Sequence, residues 1–256
     1  FDGDNKPMHL VSAFASEFGI ALGQLKTAEK SNEITAIPEL IELLDITGSI
    51  VTIDAMGCQV KIVEKIVGKG ADYLIGLKGN QGTLSEDVRL YFERKTRKAN
   101  FFTVSEGDKG HGRIETRVCT VTEDIEWLKE LHPKWEKLKS IIEIKSKREI
   151  KSNISTETRY YISSLQAAKP DKILNAIRQH WGVENKLHWV LDMSFNDDQC
   201  RIRKGNAPRN IAIIKKTVLN LLQIIKKDRP RISLKAMRKL AGWDYSFMDS
   251  VLMAKF

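Results

Sequence analysis

The sequence predicts an α/β fold, chiefly because strand and helix patterns alternate in its first hundred residues. The apolar run Ile50–Ile53 is typical of a buried strand, and the residues from Cys58 to Val67 have helical spacing. A further strand, Tyr73–Leu77, follows. Such alternation is characteristic of an α/β core. With 256 residues, 42% of them hydrophobic, the chain is long enough to bury that core.

The other elements are predicted from hydrophobic period and turn residues. The predicted strands are the hairpin His9–Phe14 and Gly19–Lys26, the pair Phe101–Glu106 and Ile114–Val121, and the pair Ser140–Lys147 and Thr156–Ser163. The predicted helices are Glu33–Asp45, one opened by a capping box of Thr83 and Glu86, one after Pro170, Val183–Leu191, one from Ala207 to Asp228, and Leu234–Leu240. The expected division is a core over 1–98, a β-rich insertion over 99–165, and a helical remainder over 166–256 with basic C-terminal helices.

The long helix beginning at Ala207 has the clearest amphipathic pattern of the chain. Its predicted apolar face consists of Ile211, Ile214, Val218, Leu221, Leu222 and Ile225. The sequence Asp228-Arg229-Pro230 is a stop signal for it.

Several classes of protein are disfavoured by composition. No run approaches the roughly 18 apolar residues that a membrane span needs, and the polar start is not that of a signal peptide. Cys58, Cys119 and Cys200 are widely separated, which indicates neither a disulfide framework nor a zinc site. Export and membrane insertion are therefore not expected, and the cysteines are expected to be reduced thiols of a cytosolic protein.

The net charge of +9 is distributed unevenly along the chain. Residues 1–60 carry three Lys/Arg and nine Asp/Glu, whereas residues 200–256 carry 14 Lys/Arg and three Asp/Glu. An enzyme acting on a polyanion needs this combination of carboxylates for metal binding and cations for phosphates. The alternative interpretation is a solvated basic helix.

Two carboxylates are candidates for chemistry. Asp54 follows the predicted strand Ile50–Ile53, and the carboxyl ends of strands are where open α/β sheets hold ligands. Its structural alternative is a cap on the next turn near Gly57. Glu184 lies in a helical stretch crowded with His and Trp; its structural alternative is an ion pair with Lys186 or Arg178.

Longer motifs around these residues resemble those of the H-repeat-associated insertion-sequence transposases, relatives of the enzymes with a D-D-E carboxylate triad. The resemblance covers essentially the whole chain. It is carried by His9–Phe14, Lys30–Ile34 with Ala36–Pro38, Thr52–Gln59, Lys78–Gln81, Gly110–Arg117, His180–Asn185 and Leu187–Trp189.

The resemblance implies an RNase H-like fold with the β-rich insertion placed before the helix that carries the last acid. Asp54 would be the second acid of the triad and Glu184 the third. Clustered carboxylates of this kind hold Mg²⁺ or Mn²⁺ for DNA cleavage and strand transfer at insertion-sequence ends. The implied partners are double-stranded DNA, as transposon ends and target, and a second copy of the chain in a synaptic complex.

The first acid of the triad is the point where this sequence departs from the family pattern. The family's first Asp stands on a strand that precedes His9–Phe14, and Asp2-Gly3 only imitates its motif because no apolar strand stands before it. The hypothesis from the sequence is an N-terminally truncated fragment with weak or no activity. The corresponding alternative function is an inactive DNA-binding remnant.

The family-like motifs and the basic C-terminal part supply further candidates. The DNA-binding candidates are Lys78, Asn80, His111, Arg113, Arg178, His180, Lys186, Arg201, Arg203 and Lys204, with Arg209 as a further phosphate contact. Trp181 and Trp189 are suited either to stacking on bases or to filling the core, and the core is the favoured interpretation.

A nuclease with an E-x-K element is a rival enzyme class, because Glu143-Ile144-Lys145 lies on a predicted strand. This match is short, and no well-placed Asp stands on a preceding strand. A metabolic α/β enzyme is disfavoured, because no G-x-G-x-x-G motif or phosphate-binding loop follows a predicted strand.

Overall fold

The computed structural model describes residues 9–27, 33–94, 100–110 and 112–254. These residues form two compact units. The hairpin unit comprises the described residues up to Leu40 and those from Gln179 onward, and the sheet unit comprises Ile41–Arg178.

Strands and helices alternate first and segregate later. The strands are β1 (Leu10–Ala15), β2 (Ile20–Lys26), β3 (Ile50–Ile53), β4 (Asp72–Leu77), β5 (Phe102–Gly110), β6 (Arg113–Thr122), β7 (Ser140–Ile150) and β8 (Asn153–Ser163). The α-helices are α1 (Glu33–Glu42), α2 (Val60–Gly68), α3 (Gly82–Arg94), α4 (Glu126–Leu131), α5 (Pro170–His180), α6 (Trp189–Phe195), α7 (Ala207–Asp228), α8 (Leu234–Trp243) and α9 (Tyr245–Leu252). The mixed α/β class is as predicted.

The sheet unit contains one sheet, to which six strands contribute in the described part of the chain. Their order is β3-β4-β8-β7-β6-β5, with β3 and β4 parallel and the later neighbours antiparallel. The strands of the predicted insertion therefore continue the sheet that begins with β3 and β4, since β8 pairs with β4 along Leu74–Leu77. The predicted division at residues 98 and 165 stays a prediction.

The core of the sheet unit lies where helix α5 packs on the middle strands. Leu74, Ile142 and Tyr161 from the sheet are buried against Ile173 and Leu174 of α5. The spacing of these two residues and of Ile177 places them on one helix face. The halves of β5 to β8 that lie nearest their hairpin turns contribute no residue to this core, and their exposed residues are mostly polar or charged.

The hairpin unit is built around helix α7. The helix carrying Glu184 packs its buried side chains, Leu187 and Leu191, against Leu219 of α7 and against Phe14 of the hairpin. Further along, Leu222 of α7 joins residues of α8 and α9 in a second cluster. The packing of Leu187 and Leu191 against α7 gives the helix that follows Glu184 a fixed buried face.

Polar side chains also fasten α7 to the β1–β2 hairpin. The Asn220 side chain accepts from the backbone N–H of Ala21 and donates to its carbonyl oxygen, both at 2.8 Å. The Lys216 ammonium donates to Ser12 Oγ and, at 2.6 Å, to Gln24 Oε1. Burial disfavours the charged form of Lys216 and lowers its pKa to about 8.

The lowered pKa of Lys216 makes stability depend on pH. Between about pH 8 and about pH 10.5 the unfolded chain holds a proton on this lysine that the folded chain has released, so the free energy of unfolding rises with pH there, by up to about 1.4 kcal/mol per pH unit. Lys216→Met should lack this rise. Urea denaturation of both proteins across this pH range measures the difference between their free energies of unfolding. Both proteins contain the buried thiols Cys58 and Cys119, whose opposite pH dependence therefore cancels in that difference. A difference that is independent of pH would contradict the prediction.

Several elements differ from their predicted form. Strand β5 continues to Gly110 and β6 begins at Arg113, so both are longer than predicted at the ends that face each other in sequence. Helix α3 begins at Gly82, so Thr83 lies inside its first turn and does not cap it. On α7, Ile214 is exposed while Lys215 is buried, because Lys215 Nζ lies 2.6 Å from Asp197 Oδ1. Helices α4 and α9 were not predicted.

No helix in the described ranges combines the length and the apolar character required to cross a membrane.

Candidate active site

Asp54 is the first residue after β3 and is exposed. Its Oδ1 accepts from the backbone N–H groups of Met56, at 3.1 Å, and Gly57, at 3.3 Å, and thereby caps the short 3-10 turn Ala55–Gly57. The cap weighed from the sequence is therefore present. It also fixes the direction of the carboxylate at the end of the strand, so the cap and a ligand role are compatible.

The loop after β4 holds the Asp54 loop in place. Asn80 Nδ2 donates to the carbonyl oxygen of Ala55 at 2.7 Å, and Gln81 Nε2 donates to that of Cys58. A Cβ on Gly76 of β4 would lie 3.4 Å from the Ala55 nitrogen, so the strand approaches this loop closely. Asn80 thus has a structural contact in addition to its predicted role toward DNA.

Lys78 also lies at this edge of the sheet. It is exposed and directly follows β4, the parallel neighbour of β3, so its backbone and that of Asp54 share the carboxyl-end edge of the two strands. Cys58, in contrast, is buried, and burial raises its pKa to about 12. Its thiol is therefore neutral at physiological pH and is a poor metal ligand.

Glu184 opens a π-helical turn, Glu184–His188, that leads directly into α6. The predicted helix over Val183–Leu191 is thus present, but its first turn is wider than an α-helical one. Glu184 is exposed. Among the described residues it forms no ion pair with Lys186, and the other sequence-based partner, Arg178, is paired with Glu106 and Asp108. Single π turns occur often at functional sites.

Acidic residues further along this segment have a different environment. Burial raises the pKa of Asp192 on α6, and the nearby carboxylates of Asp198 and Asp197 raise it further. Lys215 offsets part of this charge through its contact with Asp197. Lys215 is not part of the apolar face predicted for α7, so the amphipathic pattern did not indicate its burial.

The two candidate acids belong to different units, Asp54 to the sheet unit and Glu184 to the hairpin unit. Across residues 9–27, 33–94, 100–110 and 112–254, no three His, Cys, Asp or Glu side chains lie close enough together to hold a metal ion. The donor chemistry of Asp54 and Glu184 nevertheless fits Mg²⁺ or Mn²⁺, since both offer exposed carboxylate oxygens.

The remaining DNA-binding candidates have varied surroundings. Arg178 at the end of α5 forms ion pairs with Glu106, at a short distance, and with Asp108, at 3.7 Å. Arg113 Nε lies 3.3 Å from Glu115 Oε1. These two guanidinium groups are thus engaged with the β-sheet acids, which the sequence did not predict. His111 lies outside the described residues.

The candidates of the hairpin unit are more accessible. Lys186, Arg201, Arg203 and Lys204 are exposed, while His180 is half-buried with its ring edge-on to Trp181 at 5.4 Å between centroids. The segment from Arg201 to Lys204 precedes the first turn of α7. Arg203 Nη1 donates to the carbonyl oxygens of Cys200 and Ile202, which holds this segment in a defined shape.

Trp181 and Trp189 do not fill the core. Both are exposed, so the favoured interpretation from the sequence was wrong. The helix buries its aliphatic side chains, Leu187, Val190 and Leu191, and this leaves no place for the larger indoles.

The Glu143-Ile144-Lys145 element, on which the alternative nuclease interpretation depends, lies within strand β7. Glu143 is buried, and its Oε2 lies 3.0 Å from Lys145 Nζ. A carboxylate in this position is not open to a metal ion and a DNA phosphate, which counts against the nuclease interpretation.

Comparison with known proteins identifies similar sequences. The sequence profile described as Transposase DDE domain matches residues 4–221. "Putative transposase YncI" of Escherichia coli O157:H7 is 43% identical over 254 residues, which cover 96% of this chain and 63% of that protein. "H repeat-associated putative transposase YhhI" of Escherichia coli K12 is 42% identical over 252 residues, which cover 96% of this chain and 65% of that protein. The chain thus spans slightly less than two thirds of the length of these curated relatives.

A solved structure is similar in fold. The cryo-EM structure of the piggyBac transposase synaptic complex with hairpin DNA has a TM-score of 0.50 with 13% sequence identity. The match covers 98% of this chain and 50% of that one. At this identity the similarity concerns the fold alone.

Proposed function

Because the chain belongs to the Transposase DDE domain family, we propose that it is the catalytic region of a DNA transposase that cleaves and joins strands at insertion-sequence ends. The resemblance to the H-repeat-associated transposases is confirmed by the relatives of that name. The proposed core is RNase H-like, with residues 99–165 as its insertion, and the fold similarity supports this assignment.

The observation that carries the proposal is the placement of Asp54. It follows the half-buried strand β3, its carboxylate direction is fixed by two backbone N–H groups, and its loop is held by Asn80 and Gln81. A metal ligand requires this kind of support, because outer contacts orient the group that binds. Asp54 is the proposed second acid of the triad and Glu184 the third.

Mg²⁺ or Mn²⁺ bound by these carboxylates would supply Lewis acidity for in-line displacement at phosphorus. Asp54 and Glu184 are the residues proposed to hold it. The chain's own contribution is to keep Asp54 oriented, to present Glu184 on a helix whose other face is buried, and to position the DNA.

The DNA contacts are proposed for the basic side chains that the structure leaves accessible. Lys78 belongs to the same unit as Asp54, and Lys186, Arg201, Arg203 and Lys204 belong to the same unit as Glu184. Arg113, Arg178 and His180 are proposed with them, although the two arginines first have to exchange their carboxylate partners for phosphates. The proposed partners are duplex DNA ends, target DNA and a second copy of the chain. The proposed location is the bacterial cytoplasm, in association with the nucleoid.

Strand cleavage tests the proposal. The chain is incubated with linear DNA that carries the terminal sequences of its own element, in Mg²⁺, in Mn²⁺ or in EDTA. We expect cleavage at the ends only with metal, and Glu184→Gln should reduce it by at least about 100-fold, since loss of mere outer-shell support already costs about 10- to 100-fold. Lys235→Gln on α8 is the matched surface control. Absence of metal-dependent cleavage by the unmodified chain would refute the proposed activity and favour the alternative function, an inactive DNA-binding remnant.

A further inference from the structure

A cavity of about 330 Å³ opens on the sheet unit, where the ends of α2, α3 and α4 come together. Its lining includes the first residue of α2, the first turn of α3, and the segment that runs from Leu131, at the end of α4, to Trp135. The volume lies at the lower end of the range for small-molecule sites. The cavity is therefore large enough for one small ligand.

The walls of the cavity are mainly apolar. Leu84 and Trp135 are buried, whereas Leu131 is 63% exposed. An exposed leucine beside buried apolar residues offers apolar surface that a ligand can remove from water, and this removal favours binding. The walls thus favour a ligand with an aromatic ring or another compact apolar group.

The charges at the cavity favour an anionic group on that ligand. No Asp or Glu is among the lining residues in the described part of the chain. His132 Nε2 lies 2.8 Å from Asp87 Oδ2, so this imidazole is already engaged. Lys134 is exposed, and the described residues supply no hydrogen-bond or ion-pair partner for its ammonium group. A carboxylate on the ligand would complement Lys134.

Gln81 connects the cavity to the loop that carries Asp54. It is a lining residue on the 3-10 turn Gly79–Gln81, and its Nε2 donates to the carbonyl oxygen of Cys58. Cys58 ends the turn that Asp54 caps. A ligand that packs against Gln81 restricts this side chain, and the hydrogen bond that it donates becomes harder to open.

We propose that this cavity binds a small molecule that joins an aromatic ring to a carboxylate, and that its occupant stabilises the Asp54 loop through Gln81. The ring contacts Leu131, Leu84 and Trp135, and the carboxylate pairs with Lys134. None of these four residues is proposed to bind metal or DNA. The inference therefore does not rest on the proposed function.

Binding of 2-naphthoate to the full chain tests the site, with 2-naphthalenemethanol as a neutral probe of similar shape. Ligand-observed NMR, which detects weak binding, gives both dissociation constants. We expect 2-naphthoate to bind about 2- to 5-fold more tightly, as an exposed ion pair implies, and Lys134→Gln to remove this preference. Leu131→Asn should weaken binding of both probes about 5-fold, because it removes part of the apolar wall.

The matched controls are Lys172→Gln and Leu43→Asn. They make the same chemical changes at exposed residues of the same unit that do not line the cavity. Both should bind the two probes like the unmodified chain. Absence of binding, or equal losses in a variant and in its control, would overturn the site.

Hydrogen exchange followed by mass spectrometry tests the connection to Asp54. In EDTA, which removes any contribution of metal, saturating 2-naphthoate should slow amide exchange in residues 54–60. Leu131→Asn should need about 5-fold more ligand for the same slowing. Unchanged exchange at saturation would overturn the connection, and so would equal slowing in Gln81→Ala. Slowing that requires Gln81 in a chain that cleaves no DNA would uphold the inference while the proposed activity failed.

Discussion

Asp54→Asn is expected to reduce metal-dependent strand cleavage by at least about 100-fold while leaving the free energy of unfolding within about 0.5 kcal/mol of the unmodified chain. Asparagine retains a side-chain oxygen that can accept from Met56 and Gly57, and Asn and Asp are equally good at the start of a helical turn. Only the negative charge is lost. Cleavage assays and urea denaturation measure the two effects separately.

Metal binding gives this prediction a readout that does not depend on cleavage. Titration with Mn²⁺, followed by electron paramagnetic resonance, should show weaker binding for Asp54→Asn than for the unmodified chain. Asp54→Ala is the informative companion variant, because it should also lose about 1 kcal/mol of stability with the cap. Unchanged Mn²⁺ affinity and cleavage in Asp54→Asn would leave the cap as the whole role of this residue.

The Asp54 region could be predicted well because its determinants are local. An apolar run that ends at an acid, followed by helical spacing, specifies β3, the turn after it and α2 with little help from the rest of the chain. The hydrogen bonds from Asn80 and Gln81 could not be predicted in this way. They depend on β4 lying parallel to β3, which brings two loops together that are more than twenty residues apart in sequence.

The surroundings of Glu184 could be predicted less completely than those of Asp54, because they depend on packing between distant segments. Sequence period predicted a helix there, and an amphipathic segment buries whichever residues its neighbours can accommodate. The aliphatic residues Leu187 and Leu191 pack against α7, so the two tryptophans remain outside. The π turn could likewise not be predicted. Apolar spacing over one turn does not distinguish a backbone hydrogen bond to the fourth preceding residue from one to the fifth.

The long strands β7 and β8 were predicted only in part. Alternation and turn residues predicted both strands but ended them short of their hairpin, because the outer residues other than Ile150 and Ile154 are polar or charged and give little indication of burial. Backbone pairing between neighbours extends them to Ile150 and Asn153. Each long strand therefore has one half that contributes to the core and another half that is held mainly by the ladder of hydrogen bonds.

This difference along β7 predicts that Ile142→Ala should lower the free energy of unfolding by about 2–5 kcal/mol. Ile142 is 0% exposed, and it packs in the cluster that joins the sheet to α5, so the truncation leaves a cavity. Ile150→Ala is the matched control. It makes the same chemical change on the same strand, but Ile150 is 41% exposed and lies beyond the core.

For Ile150→Ala we expect a loss below about 1 kcal/mol, since exposed substitutions lack the cavity term. The two variants lose the same intrinsic strand preference, so the difference between them, measured by urea denaturation followed by circular dichroism, isolates the burial supplied by α5. Equal losses would mean that the outer half of the sheet is as closely packed as the inner half. In that event its polar face would have to be covered in solution, and the protruding strands β5 to β8 would be part of an assembly.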